Sequence, residues 1–261
     1  MSDSIKDFWE KQAEKYRTSY RASWSDHFMI DLEIHEISNL INRNLEQRAL
    51  CAGCGNGYSM IKLAEQKGNL RLVGVDFSSN MIKYANQSRQ ESLSKDRINF
   101  QLGDIRNLDF KEGDFDFVYT TRSLINLPNW EDQKKAIIEL LKVAKPGGHV
   151  ALSEAFWEPL VKLNSLRSIA GLTPLKEPNF NKYLKESQVQ ELLNSLNLPF
   201  EIKEFSSIYY LGSRFVRDLV PEVSSADYEN ELNKAFHDLQ KRFTGGGNFG
   251  IQQMYVVQKN T

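Results

Sequence analysis

The sequence predicts an α/β fold in which a parallel sheet is doubly wound, with helices on both of its faces. Three observations carry that reading. From Gln47 to Glu154 short apolar runs alternate with segments of helical period, the rhythm of parallel strands joined by crossover helices. The runs are rich in β-branched and aromatic residues, as strands buried on both faces require. Glycines and then acids stand directly behind the runs, where the ligand-binding edge of such a sheet lies.

The elements follow in order. "RALCA" is the first strand, and "GYSMIKLAEQKG" is a helix stopped at Gly68. "NLRLVGVD" is the second strand, "SSNMIKYANQSRQES" a helix, "INFQLGD" the third strand and "DFDFVYTT" the fourth. A long helix is predicted from about Trp130 to Ala144, and "KPGG" stops it: Pro146 cannot continue a helix and the two glycines turn the chain. "HVALSEAF" is strand five. Upstream, residues 4–42 carry Phe8, Ala13, Tyr16 and Tyr20, then Phe28, Ile30, Leu32, Ile34 and Ile37, at the spacing of two amphipathic helices. Downstream, a Pro-containing stretch runs from Trp157 to Tyr183. A helix near Ser187 to Leu196, a strand near Ile202 to Tyr210 and a helical insertion from about Ser213 to Phe243 come next, and "NFGIQQMYVVQK" is a last strand. The expected organisation is one globular unit with three parts: an N-terminal helical cap over 1–45, a ligand-binding core over 46–156, and the rest of the sheet with capping insertions over 157–261.

Composition narrows the function classes. With 261 residues, 41% apolar content and 15 Phe, the chain can bury a sizeable core. Thirty-three basic and 34 acidic residues leave a net charge of -1, so no global field recruits nucleic acid. The charged N-terminus lacks an apolar leader pattern and no window approaches 18 apolar residues, so a cytoplasmic location without membrane insertion is expected.

The chemistry is expected in the loops behind the strands. Gly53-Cys54-Gly55-Asn56-Gly57 follows the first strand, where missing side chains let backbone N–H groups face a ligand. Asp76 closes the second strand 19 positions beyond Gly57, and a carboxylate there can accept both hydroxyls of a ribose. Asp104-Ile105 follows the third strand, an acid and an apolar residue suited to the amino edge and ring face of adenine. "TTRSLINL" follows the fourth.

The first loop also holds Cys51 and Cys54, a C-x-x-C pair that reads on its own as redox or metal chemistry. A redox thiolate needs exposure at a helix N-terminus, whereas Cys51 is expected at the inward end of a buried strand. Zinc usually needs four ligands, and no second C-x-x-C or H-x-x-x-H is present, so no metal is expected. His27, His35, His149 and His237 have no ligand partner at helical spacing. An NAD-dependent oxidoreductase also pairs a glycine loop with a ribose acid, but the loop departs from G-x-G-x-x-G and no Y-x-x-x-K pair follows strand four.

Four segments in register, "GCGNG", "GVDFSSNMI", "GDI" and "LLKVAKPGGHVALSE", resemble class I S-adenosylmethionine-dependent methyltransferases across about Gln47 to Glu154. The resemblance implies a Rossmann-like, seven-stranded sheet with an antiparallel last strand, which "GIQQMYVVQ" fits. Outside the resembling segment, the helical spacing of the flanks adds an N-terminal helical lid and helical insertions after strands five and six. The implied cofactor is S-adenosylmethionine, with S-adenosylhomocysteine as product. Gly53 and Gly55 would lie along its methionine part, Asp76 on the ribose, Phe77 and Met81 near the adenine, Asp104 and Ile105 at the adenine edge and face, and Thr120 beside the sulfonium, with Ala52 also in the cofactor site. Tyr16 and Tyr20, four apart on one helix face, would close over it. The family often has an acid two residues before the first glycine; here that position is Cys51. Replacing Cys51 by Asp or Glu is therefore expected to tighten binding if that contact is missing.

Methyl transfer is an in-line displacement that rests on alignment and exclusion of water. A base is needed only if the acceptor must lose a proton. Glu154, Arg122 and His237 are the candidate catalytic residues. The expected acceptor is a small molecule, O- or C-methylated. Arg167, Lys176, Arg214, Arg217, Lys241 and Arg242 in the capping region raise the option of a phosphorylated, saccharide or isoprenoid metabolite. A protein or RNA methyltransferase and a non-catalytic S-adenosylmethionine-binding protein remain as alternatives, and a homodimer is compatible with the sequence.

Overall fold

Seven strands form where the apolar runs stand, and the computed structural model describes them within residues 3–42, 45–223 and 227–261. β1 (Gln47–Ala52), β2 (Leu70–Asp76), β3 (Ile98–Leu102), β4 (Phe115–Thr121) and β5 (Ala144–Ala155) are parallel. β6 (Phe200–Lys203) and β7 (Gln252–Gln258) complete the sheet, with β7 antiparallel to both β5 and β6. The order β3-β2-β1-β4-β5-β7-β6 reverses between β1 and β4, which opens a crevice beyond their carboxyl ends.

Alternation along β1 shows why both faces need cover. Ala49 and Cys51 pack into one core with Met29, Met60 and Leu63, whereas Leu50 and Ala52 pack into the other with Ile137, Leu140 and Leu193. On the first face lie α2 (His27–Leu40) and α3 (Tyr58–Gln66), and α4 (Ser79–Glu91) joins them through Ala85. On the second lie α5 (Trp130–Val143) and α7 (Glu186–Ser195). α6 (Trp157–Ile169) covers β5 on the first face through Leu160 and Leu163. α8 (Ser207–Leu211), a π-helical turn (Gly212–Val216), α9 (Arg217–Leu219) and α10 (Glu231–Arg242) fill the link between β6 and β7.

α1 (Asp3–Tyr16) is docked by side chains rather than by the sheet. The Glu10 carboxylate accepts the backbone N–H of Ser79 at 2.8 Å and of Asn80 at 3.0 Å, supplying an acid to the N-terminus of α4 where free N–H groups favour one. Phe8 stacks on Phe180 with centroids 4.3 Å apart.

The structure corrects three expectations. Tyr16 and Tyr20 do not share a helix face, because α1 ends at Tyr16, Arg17 takes φ +50°, and Tyr20 opens a separate 3-10 turn. After strand five a helix stands over Trp157–Ile169, where a helical insertion is expected, and Pro159 sits in its first turn, where no intrahelical N–H is required of it. Strand six ends at Lys203, and its apolar continuation becomes α8, whose Tyr209 and Tyr210 are buried in the α2 face of the core. "KPGG" lies inside the long β5, the helix before it ending at Val143.

Candidate active site

The glycine turn after β1 is pinned to β2. Gly53 and Cys54 both donate to the Val75 carbonyl, at 2.7 and 2.9 Å. Gly53 takes φ +82°, and a Cβ there would overlap the Ser123 hydroxyl of the loop after β4. Gly55 takes φ +54° but meets nothing within 4 Å, so its missing side chain leaves open space. Its N–H donates to Asp76 Oδ2 at 2.8 Å, and Ser78 N donates to Asp76 Oδ1 at 2.9 Å. Burial outweighs these two donors and pushes the Asp76 carboxyl up to about 6. Asn56 ties the turn to the N-terminal segment by donating to the carbonyls of Arg17 and Ser19, each at 2.8 Å.

The loop after β4 is held from beneath. The Glu154 carboxylate, fully buried at the end of β5, accepts the backbone N–H of Ser123 (3.0 Å), Leu124 (3.1 Å) and Ile125 (3.3 Å). Burial still pushes its carboxyl up to about 7. Arg122 takes the left-handed conformation, φ +53°. Its guanidinium pairs with buried Glu33 of α2 and lies over the Trp24 ring, 5.0 Å from the centroid. Burial pulls that guanidinium down to about 10. Glu33 also accepts from Ser153 Oγ at 3.0 Å and Gln252 Nε2 at 2.9 Å.

Two chambers meet here. The first is lined by the glycine turn, Asp76, Phe77, Met81 and Ile105, with Trp9 of α1 on its wall. The second, about 320 Å³, lies between α1, the segment around Trp24 and the stretch 178–183. Trp9, Ser23, Arg122 and Asn126 line both, and Trp9 Nε1 donates to Asn126 Oδ1 at 3.3 Å.

Of the residues singled out in the sequence, Gly53, Gly55, Asp76, Phe77, Met81, Ile105 and Arg122 line the first chamber. Tyr16 lines the second. Several others stand elsewhere. Asp104 turns its carboxylate to Arg106, at 2.6 Å. Ala52 and Thr120 are fully buried in their strands, and Thr121 rather than Thr120 lines the chamber, because successive strand residues point to opposite faces. The Tyr20 hydroxyl donates to Glu229. His237 is engaged by Asp31 at 2.8 Å and Asp238 at 3.1 Å, and packs on Phe28. The Cys51 and Cys54 thiols line the chamber, and burial pushes Cys51 up to about 12 and Cys54 well above its usual range; neither is poised as a thiolate. Most cations of the capping region are already paired: Arg167 and Arg217 with Asp218, Arg214 with Asp26, and Lys241 with Asp31.

Sequence reasoning missed Trp9, Asn126 and Glu33. Glu33 did leave a signal, since an acid between Leu32 and Ile34, in helical register with Met29 and Ile37, stands on a buried stripe.

The residues of the first chamber suit an adenosine carrying a short charged tail. The open space at Gly55 admits a ligand against the backbone, the Asp76 carboxylate adjoins it, and Phe77, Met81 and Ile105 make an apolar slot beside that acid. A family model described as "Methyltransferase domain" matches residues 49–148. An uncharacterized methyltransferase of Schizosaccharomyces pombe is 34% identical over 113 residues, covering 41% of this chain and 40% of the relative. A demethylmenaquinone methyltransferase of Oceanobacillus iheyensis is 32% identical over 122 residues, 46% of this chain and 50% of the relative. The chain spans about half the length of the curated relatives it matches. Among solved structures, a geranyl diphosphate C-methyltransferase from Streptomyces coelicolor, in complex with Mg2+, geranyl diphosphate and S-adenosyl-L-homocysteine, superposes with a TM-score of 0.60 at 16% identity, covering 90% of this chain and 80% of that one. Sheet order and cleft-facing loops thus agree with the family model, and residues 49–148 form a methyltransferase domain.

Proposed function

We propose that this protein transfers a methyl group from S-adenosylmethionine to a small-molecule acceptor. One observation carries the reading: the chamber at the switch point, lined by the glycine turn and Asp76, shares Trp9, Ser23, Arg122 and Asn126 with a second, aromatic-walled chamber of about 320 Å³. A cavity of that size suits a small metabolite.

In this reading Gly53 and Gly55 let the cofactor lie against the backbone, and Asp76 orients its ribose. Asp104, engaged by Arg106, would have to turn to reach an adenine edge, whereas Ile105 already lines the slot. The cofactor supplies a methyl group on a positively charged sulfur. Trp9, docked through Glu10 and Asn126, narrows the opening between the chambers and excludes water. Glu154 acts through the backbone it holds: its three N–H contacts fix the loop carrying Arg122 and Ser123 against the glycine turn. His237, paired on α10, has no part in the transfer.

Incubating the purified protein with methyl-labelled cofactor and three separate pools, namely a low-molecular-mass metabolite extract, protein and RNA, tests the proposal. Label is expected in the metabolite pool; label confined to protein or RNA would overturn it.

A further inference from the structure

We propose that the acceptor is a planar aromatic molecule bearing an acidic hydroxyl, bound as its anion with the oxygen against Arg122 and methylated on that oxygen. This rests on the methyltransferase reading above and names the substrate class of the same site.

The wall of the second chamber supports the aromatic part. Phe8, Trp9, Trp24, Phe180, Tyr183 and Tyr210 line it, and such faces hold a flat ring by stacking with little cost in ordering. Charge supports the anion. Arg122 lines the chamber together with Arg21, which pairs with Glu229 at 3.5 Å, and among the described residues no Asp, Glu, Lys or His lines it. Glu33 holds Arg122 from behind, while Ser153 and Gln252 hold Glu33. A guanidinium carries five N–H donors, so one carboxylate partner does not exhaust it.

The same wall decides the protonation state. Glu154 is buried beneath the loop and committed to three backbone N–H groups. Glu33 and Asp26 are committed to Arg122 and Arg214. Burial raises the hydroxyls of Tyr183, to about 12, and of Tyr210, so neither is a base at neutral pH; the other ionisable side chains among the described residues of the wall are Tyr16, Arg21 and Arg122, a phenol and two guanidinium cations rather than a carboxylate or an imidazole. An acceptor that had to lose its proton inside the chamber would find no partner for it. An acceptor ionised in solution needs none. An electron pair of its oxygen forms the new bond to the methyl carbon as the methyl–sulfur bond breaks and leaves its pair on sulfur, so that a neutral ether and a neutral thioether result. Attack through a ring carbon would leave a ring proton to be removed, for which the wall offers no base.

The test uses substituted phenols spanning acidic to weakly acidic, with an aliphatic alcohol and an isoprenoid diphosphate as comparisons, each with labelled S-adenosylmethionine. Ether formation is expected for the acidic phenols, and the midpoint of the kcat/KM pH profile should follow each phenol's own ionisation. Arg122→Gln should raise the phenol KM more than tenfold, Arg122→Lys should recover part of it, and Glu33→Gln should fall between wild type and Arg122→Gln. A midpoint that stays fixed across the series, or transfer to the alcohol or diphosphate with phenols untouched, would overturn the inference. Calorimetry with S-adenosylhomocysteine on each variant checks its fold and separates the two levels: no binding to wild type sinks the methyltransferase reading, whereas binding without phenol methylation sinks this inference alone.

Discussion

The Asp76 carboxylate accepts the backbone N–H of Gly55 at 2.8 Å, so the acid that closes β2 and the turn that closes β1 form one rigid cradle. A buried acid with two backbone donors still sits near pH 6, which makes the cradle sensitive to pH in opposite senses for folding and for binding. The folded-state value lies above 3.8, so the stability this group contributes is present below about pH 4 and is lost as pH rises through about 6. In the proposed function Asp76 accepts the ribose hydroxyls, a role that needs the ionised form. S-adenosylhomocysteine affinity is therefore expected to rise between pH 5 and 7.5 while the thermal stability contributed by this group falls. At pH 7.5 Asp76→Asn should weaken binding at least tenfold, about 1.4 kcal/mol. Titration calorimetry at the two pH values checks both.

The two cleft glycines should fail in different ways. Gly53→Ala drives a methyl group into Ser123 and should lower stability by about 1–3 kcal/mol. Gly55→Ala meets no neighbour and should cost only the left-handed backbone term of about 1–2 kcal/mol, while its methyl group fills ligand space and weakens S-adenosylhomocysteine by tenfold or more. Urea unfolding paired with calorimetry on both variants separates the effects; equal losses of affinity and stability in the two would contradict the assignment.

Cys51 is buried, within the field of Asp76. A carboxylate at that position adds a like charge to the cradle. Cys51→Asp should therefore lower the melting temperature of the free protein, yet gain affinity for S-adenosylhomocysteine, which carries an ammonium group. Methylthioadenosine, which lacks that group, should show no gain. The ratio of the two affinities is the informative measurement.

Asp26 is fully buried, caps α2 through Met29 N, and binds Tyr209 and Arg214 at 2.6 Å each. Asp26→Ala leaves a buried guanidinium without its partner, a change that costs about 3–5 kcal/mol in comparable settings. Denaturant unfolding should show this loss, and Arg214→Met added to Asp26→Ala should recover part of it.

The core strands and the cleft loops were legible because each depends on neighbours in sequence. A buried parallel strand needs an unbroken apolar run, and a turn that admits a ligand needs glycine, so "RALCAGCGNG" announces both. Asp76 was legible from its spacing to that turn. The segments after β5 were harder to read, because propensity there is overruled by packing. "SSIYYL" carries strand-forming residues, yet Ser206 O accepts Tyr210 N and the Tyr209 hydroxyl reaches Asp26 across 183 positions, which sets that stretch as helix. Arg167 and Arg214 read as candidates for an anionic ligand until the fold supplied Asp218 and Asp26 as their partners.

The sequence by itself determined the sheet, the glycine cradle and the acid beside it, since all three follow from local backbone needs and strand order. Only the tertiary structure decided how the second chamber is built. Trp9, Trp24, Glu33, Arg122 and Tyr183 come from four separate stretches of chain, and their meeting depends on how α1, α2 and the segment after α6 pack over β4 and β5. A charge that looks free in sequence is paired or available according to what the fold lays against it: Arg214 is consumed by Asp26, whereas Arg122, held from one side by Glu33, still lines the cavity.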